Sequence, residues 1–82
     1  MVYIKENEIK NSKNIYLVIG KNIQKYRKMK GYTGEKLANL CNLSYGYIKN
    51  LESSKVYATI SIETLKLIAD KLEVQIKDFF DE

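Results

Sequence analysis

The chain has 82 residues, 45% of them hydrophobic, with no Pro, no His and one Cys, and a net charge of +4. That length holds a single domain, and a Pro-free chain with only four Gly favours helices joined by short turns over a sandwich of many strands. The lack of His excludes His-based triads and His zinc sites, and the lone Cys41 excludes an internal disulfide and reads as a small buried apolar residue.

Residues 1–14, MVYIKENEIKNSKN, are polar apart from Val2, Tyr3, Ile4 and Ile9. They are expected to form an extended N-terminal arm or short strand ending in a linker at Asn11 to Asn14, with the domain proper over 15–82. The charges at Lys5, Glu6 and Glu8 argue against a secretory leader. The longest strongly apolar run, Ile15 to Ile19, is too short to span a bilayer, so no membrane partner and a bacterial-type cytoplasm are expected.

A first helix is predicted over about residues 15–30, because Ile15, Ile19, Ile23 and Tyr26 recur at helical spacing. Gly31 is its expected stop. A second helix starts after Thr33, a good N-cap, with Glu35 in its first turn and Leu37, Ala38 and Cys41 facing inward. It ends at Asn42, the residue type that after Gly enters the left-handed region most readily.

Ser44 then caps a third helix over about residues 45–52, which buries Ile48 and Leu51. Tyr47 lies on its shoulder. Tyr45 and Lys49, and beside them Gly46 and Asn50, are four apart on the face the core does not need. Residues 53–60 read as a loop. Ser61 caps a fourth helix with Ile62, Leu65, Ile68, Ala69 and Leu72 at helical spacing, and a last short helix near 75–80 carries Ile76, Phe79 and Phe80. The predicted fold class is therefore all-α, with five helices.

Charge is unevenly spread. Residues 1–60 hold eleven of the fourteen Lys and Arg but four of the ten Asp and Glu. A basic first part followed by an acidic end suggests that one side of the domain meets a polyanion. Two short helices joined by a tight turn have a known use of that kind: the second lies in the major groove of DNA with its N-terminal residues at the base edges.

At this point the chain resembles a family. IGKNIQKYRKMKGYTGEKLANLCNLSYGYIKNLESSK followed by SIETLKLIADKLEVQIKDFF is similar to the Cro and lambda-repressor-type helix-turn-helix domain, the XRE family, over about residues 17–80. The matching positions are Ile19, Gly20, Ile23, Arg27, Leu37, Ala38, Ser44, Ile48, Glu52, Leu65, Ile68, Ala69 and Leu72.

The resemblance implies a five-helix lambda-repressor-like bundle that binds double-stranded DNA as a homodimer on a palindromic operator. Carried over, Tyr45, Gly46, Lys49 and Asn50 occupy base-reading positions. Thr33, Gly34, Ser44, Tyr47, Ser53 and Lys55 occupy positions that meet the phosphate backbone, and Arg27 and Glu52 match a structural ion pair. Lys49 suits guanine O6 and N7 and Asn50 suits adenine N6 and N7, each worth about 1–3 kcal/mol of discrimination. The chain departs from the family pattern at Gly34, where helix two usually opens with Gln, and at Asn42, Ser54 and Ile60.

The function so implied is a transcriptional regulator, a repressor acting by occlusion of a promoter, with no cofactor and no metal. The alternative is a protein-interaction module of the same fold, an antitoxin-like partner of a toxin or of another regulator, in which the N-terminal arm and acidic end bind a second protein. Phe80 and Val2 to Ile4 are the candidate dimer contacts. An enzyme is not expected, since the sequence has neither a metal-ligand cluster nor a phosphate-cradling Gly loop.

Overall fold

A computed structural model describes residues 6–56 and 58–82, with side chains from residue 15 onward. Four α-helices, α1 (Glu6–Met29), α2 (Gly34–Cys41), α3 (Tyr45–Glu52) and α4 (Ile62–Leu72), are followed by a 3-10 helix, Ile76–Phe80. No strand occurs among the described residues.

The start of α1 differs from the expectation. The backbone is already helical at Glu6, so Asn11 to Asn14 continue the helix where a linker was predicted, and helix replaces arm or strand from residue 6 onward. The physical reason is that residues 6–14 contain neither Gly nor Pro, and polarity alone does not break a helix. The part of the expected arm at residues 1–5 lies outside the described residues, as do Val2 to Ile4 as dimer contacts.

The core is a single cluster built from every element: Ile19 and Ile23 of α1, Leu37, Ala38 and Cys41 of α2, Ile48 and Leu51 of α3, Leu65, Ile68, Ala69 and Leu72 of α4, and Phe79. Ile15, at the same helical spacing as Ile19 and Ile23, is 44% exposed. Phe79 is fully buried and meets Tyr26 edge-on, with centroids 6.1 Å apart at 66°. Cys41 is buried, and burial pushes its thiol above the usual range, which suits an inert core residue.

Among the described residues, one polar side chain is buried with this core. Asn22 of α1 donates from Nδ2 to the carbonyls of Phe79 at 2.8 Å and Asp81 at 2.7 Å, and so fastens the C-terminal segment to the first helix. Replacing it with Ala leaves the Phe79 carbonyl buried without this donor, a loss expected to cost about 1–3 kcal/mol. Urea unfolding of Asn22→Ala reads this directly, and a loss below about 0.5 kcal/mol would mean that water takes the place of the amide.

Candidate nucleic-acid interface

The α2–turn–α3 unit is assembled by local hydrogen bonds. Thr33 caps α2 by accepting the Lys36 N–H on its side-chain oxygen at 3.0 Å. Asn42 ends α2 in the left-handed conformation, φ 56° and ψ 41°. That reversal lets the Leu43 N–H reach the Ala38 carbonyl at 2.8 Å and turns the Leu43 side chain toward the core. Ser44 then resumes an extended conformation and caps α3 by accepting the Tyr47 N–H at 3.1 Å. Asn42, Leu43 and Ser44 thus carry the chain out of α2 and into α3 through a tight turn.

With Ile48 and Leu51 facing the core, Tyr45, Gly46, Lys49 and Asn50 come together on the solvent face of α3. The Lys49 and Asn50 side chains make no hydrogen bond or ion pair with a described residue. A Cβ built on Gly46 would meet nothing within 4 Å, so the packing of the chain does not require glycine there.

Thr33, Ser44 and Ser53 lie around this face. Each hydroxyl accepts a backbone N–H, that of Lys36, Tyr47 and Lys55 respectively, and each keeps its own proton to donate outward. Tyr47 is placed differently. It is half-buried and its hydroxyl donates to the Thr59 carbonyl at 2.9 Å, tying α3 to the loop that leads into α4, while burial raises its pKa. Lys55 is exposed in the loop after α3.

Arg27 and Glu52 form a two-pronged pair: Nε to Oε2 at 2.7 Å and Nη2 to Oε1 at 2.8 Å. Arg27 also donates from Nη1 to the Tyr32 carbonyl at 2.7 Å. The hydrogen bond to Glu52 raises the guanidinium pKa, burial opposes that, and Tyr45 adds the smallest favourable contribution. The pair therefore locks α1, the turn before α2 and the end of α3 into one rigid unit beneath the exposed face.

A cleft opens where these elements meet, lined by Gln24 and Arg27 of α1, Gly34 of α2, and Tyr45, Lys49 and Ser53. It continues along α1 through Lys21 and Leu17 to Ser53 and Ser54. Gln24 and Lys21 thus flank the face without having been singled out in the sequence. Their spacing, with Arg27, at three-residue steps on one side of the first helix was the available signal.

Among the described residues no group of His, Cys, Asp and Glu could hold a metal ion, and no helix is long and apolar enough to cross a membrane.

Comparison with known proteins agrees with this geometry. Residues 23–79 match the pattern of the helix-turn-helix family. The chain is 36% identical over 64 residues to the HTH-type transcriptional regulator SlrR of Bacillus subtilis (strain 168), a match that covers 78% of this chain and 41% of SlrR. The chain thus spans about two fifths of the length of that relative. Among solved structures, the biofilm master regulator SinR in complex with DNA is 30% identical, with a TM-score of 0.70 over 77% of this chain and 98% of that one. A SinR–SinI complex is 31% identical, with a TM-score of 0.70 over 78% of this chain and 61% of that one. The restriction–modification controller C.AhdI of Aeromonas hydrophila shares the fold, with a TM-score of 0.71 at 23% identity over 79% of this chain and 96% of that one.

Proposed function

The chain belongs to the XRE-type helix-turn-helix family, and from that premise we propose that it is a sequence-specific DNA-binding transcriptional regulator, a repressor that binds a palindromic operator as a homodimer. The observation that carries this reading is the outer face of α3. Tyr45, Gly46, Lys49 and Asn50 are solvent-facing along one side of a capped helix, beside hydroxyls that can donate to phosphate. The DNA complex of SinR, a relative of the same fold, supports the same use of this unit.

In this reading electrostatic attraction brings the basic part of the chain to DNA, and α3 selects the site by direct contact with base edges in the major groove. Two copies related by a two-fold axis place two α3 helices about one helical turn of DNA apart. Occupation of an operator that overlaps a promoter then excludes polymerase. The mechanism uses no cofactor and no bond chemistry.

Selection of bound sequences from a random DNA pool at about 150 mM salt tests the reading. The expected result is an enriched palindrome with half-sites about 10 base pairs apart. Asn50→Ala is then expected to relax preference at one position per half-site by about 1–3 kcal/mol. Enrichment of no motif, with only weak salt-sensitive binding, would remove DNA reading from this chain.

Gly46 supplies a test of opposite signs. Since a Cβ there meets nothing in the free protein, Gly46→Ala is expected to stabilise the fold by about 0.5 kcal/mol through helix propensity. The same methyl stands on the DNA-facing side and is expected to weaken operator binding. Thermal unfolding and titration of one preparation read both effects, and unchanged affinity would take Gly46 out of the contact surface.

A second reading, binding to another protein, is favoured by one feature. Ile15, Ile62 and Phe80 are 44%, 67% and 43% exposed and line one apolar depression with Tyr16, Ile60 and Leu65, away from the α3 face. The complex of the related SinR with SinI supports a protein partner as an addition to DNA binding.

A further inference from the structure

The first residue of α2 and the first residue of α3 touch. A Cβ built on Gly34 would lie 2.9 Å from Cε1 and 3.4 Å from Cδ1 of the Tyr45 ring, and 3.9 Å from the Ile48 methyl Cγ2. The backbone does not ask for glycine here, because Gly34 is not among the residues with positive φ. What excludes a side chain is the aromatic ring, which lies over the Gly34 Cα and closes one end of the cleft bounded by Gln24, Arg27 and Lys49. Gly46 is the contrasting case, since a Cβ there meets nothing and its neighbours would not move.

Tyr45 is 48% exposed, so its ring is the free end of a side chain that can swing outward. A methyl at position 34 therefore displaces the ring at little cost to folding, and it displaces a group that stands on the candidate DNA face. Resting on the reading of that face as the DNA-binding surface, we propose that Gly34 is a specificity-determining positioning residue: by lacking a side chain it seats the Tyr45 ring on the start of α2 and so decides which part of a base pair the start of α3 meets.

Gly34 acts only through Tyr45. Its effect on DNA is confined to the base pair that Tyr45 faces and vanishes when Tyr45 is removed. This separates it from a backbone contact to phosphate at the same residue, whose loss weakens binding to every sequence alike.

The test is a double-substitution cycle with Gly34→Ala, Tyr45→Ala and the pair, each measured by selection from the random pool and by titration of the selected operator and its single-base variants. Gly34→Ala is expected to change discrimination at one base pair per half-site by about five-fold or more. Tyr45→Ala changes the same position, and the pair behaves as Tyr45→Ala alone. In the free protein, NMR resonances of the Tyr45 ring move in Gly34→Ala while the melting temperature stays close to that of the parent.

Unmoved ring resonances overturn the proposal whether or not DNA is present. So does a uniform loss of affinity for all sequences, or an effect of Gly34→Ala that persists undiminished in the Tyr45→Ala background. In those cases a parent chain that still selects a motif retains its DNA-reading function. A parent chain that selects no motif overturns both.

Discussion

Gly20→Ala is expected to destabilise the chain by about 3 kcal/mol or more, although it adds a single methyl. A Cβ at Gly20 would lie 1.8 Å from the Leu51 carbonyl oxygen and 3.0 Å from its carbon, so α1 and α3 are in backbone contact at this point. A Cβ has no rotamer with which to escape, and a carbonyl cannot rotate away without breaking the end of α3. The helices would have to part, and Ile19, Ile23, Ile48 and Leu51, all buried at or near this junction, would part with them.

For a domain of this size each kcal/mol corresponds to about 4–8 °C, so a fall of at least about 12 °C in melting temperature is expected. Gly46→Ala, where a Cβ is unopposed, is the matched control. A fall under about 4 °C would mean that the helices do not approach so closely in solution. The same displacement would tilt α3, so DNA binding should be lost in the variant even at temperatures where it is folded.

Glu52→Ala is expected to cost about 3 kcal/mol, the lower end of the range for cutting one partner of a buried pair, because this pair keeps a small exposure to solvent. The Arg27 and Glu52 side chains are 12% and 9% exposed, so removal of the carboxylate leaves a guanidinium with one remaining protein acceptor, the Tyr32 carbonyl. The larger part of the cost is that stranded charge. A double variant, Arg27→Met with Glu52→Leu, is therefore expected to recover much of the stability lost by Glu52→Ala. Chemical unfolding of the parent, single and double variants distinguishes the cases, and a loss below about 1 kcal/mol would place the pair among exposed ion pairs of little worth.

The pH behaviour of the pair follows in sign. The Arg27 pKa is raised above the usual guanidinium range, first by its hydrogen bond to Glu52. A raised value favours the folded state at every pH below the unfolded pKa and is lost only above it, so loss of the Arg27 proton is not expected to begin unfolding at ordinary alkaline pH. The exposed Lys30–Glu73 pair behaves in the complementary way. The hydrogen bond from Lys30 lowers the Glu73 pKa below 4.5, so whatever this pair contributes fades as pH falls through the acid range.

The part of the fold most legible in the sequence was the helix–turn–helix unit itself. Thr33, Asn42, Ser44 and Ser61 stand where caps and a left-handed turn were expected, because each acts on backbone groups within a few residues of itself. The inward sets of α2 and α3, and that of α4 apart from Ile62, which is 67% exposed at the first position of its helix, were legible for the same reason, since helical spacing is a local property. Glu73, by contrast, ends α4 with φ 60° although Glu is no usual residue for that region. There the Val74 N–H bonds back to the Ala69 carbonyl and Val74 packs on the core, so tertiary packing selects the turn against local preference.

Residue order was enough to specify an all-helical chain with a capped pair of short helices and a spare polar face on the second. Packing in three dimensions was needed to leave Ile15 exposed while Ile19 and Ile23 are buried, to set Asn22 against the Phe79 and Asp81 carbonyls, to bring the Leu51 carbonyl onto Gly20, and to seat Tyr45 on Gly34. The division has one physical cause. Caps and periodicity are set by atoms a turn or less apart along the chain, whereas each of these four outcomes depends on whether a segment distant in sequence arrives at the same place, and how closely.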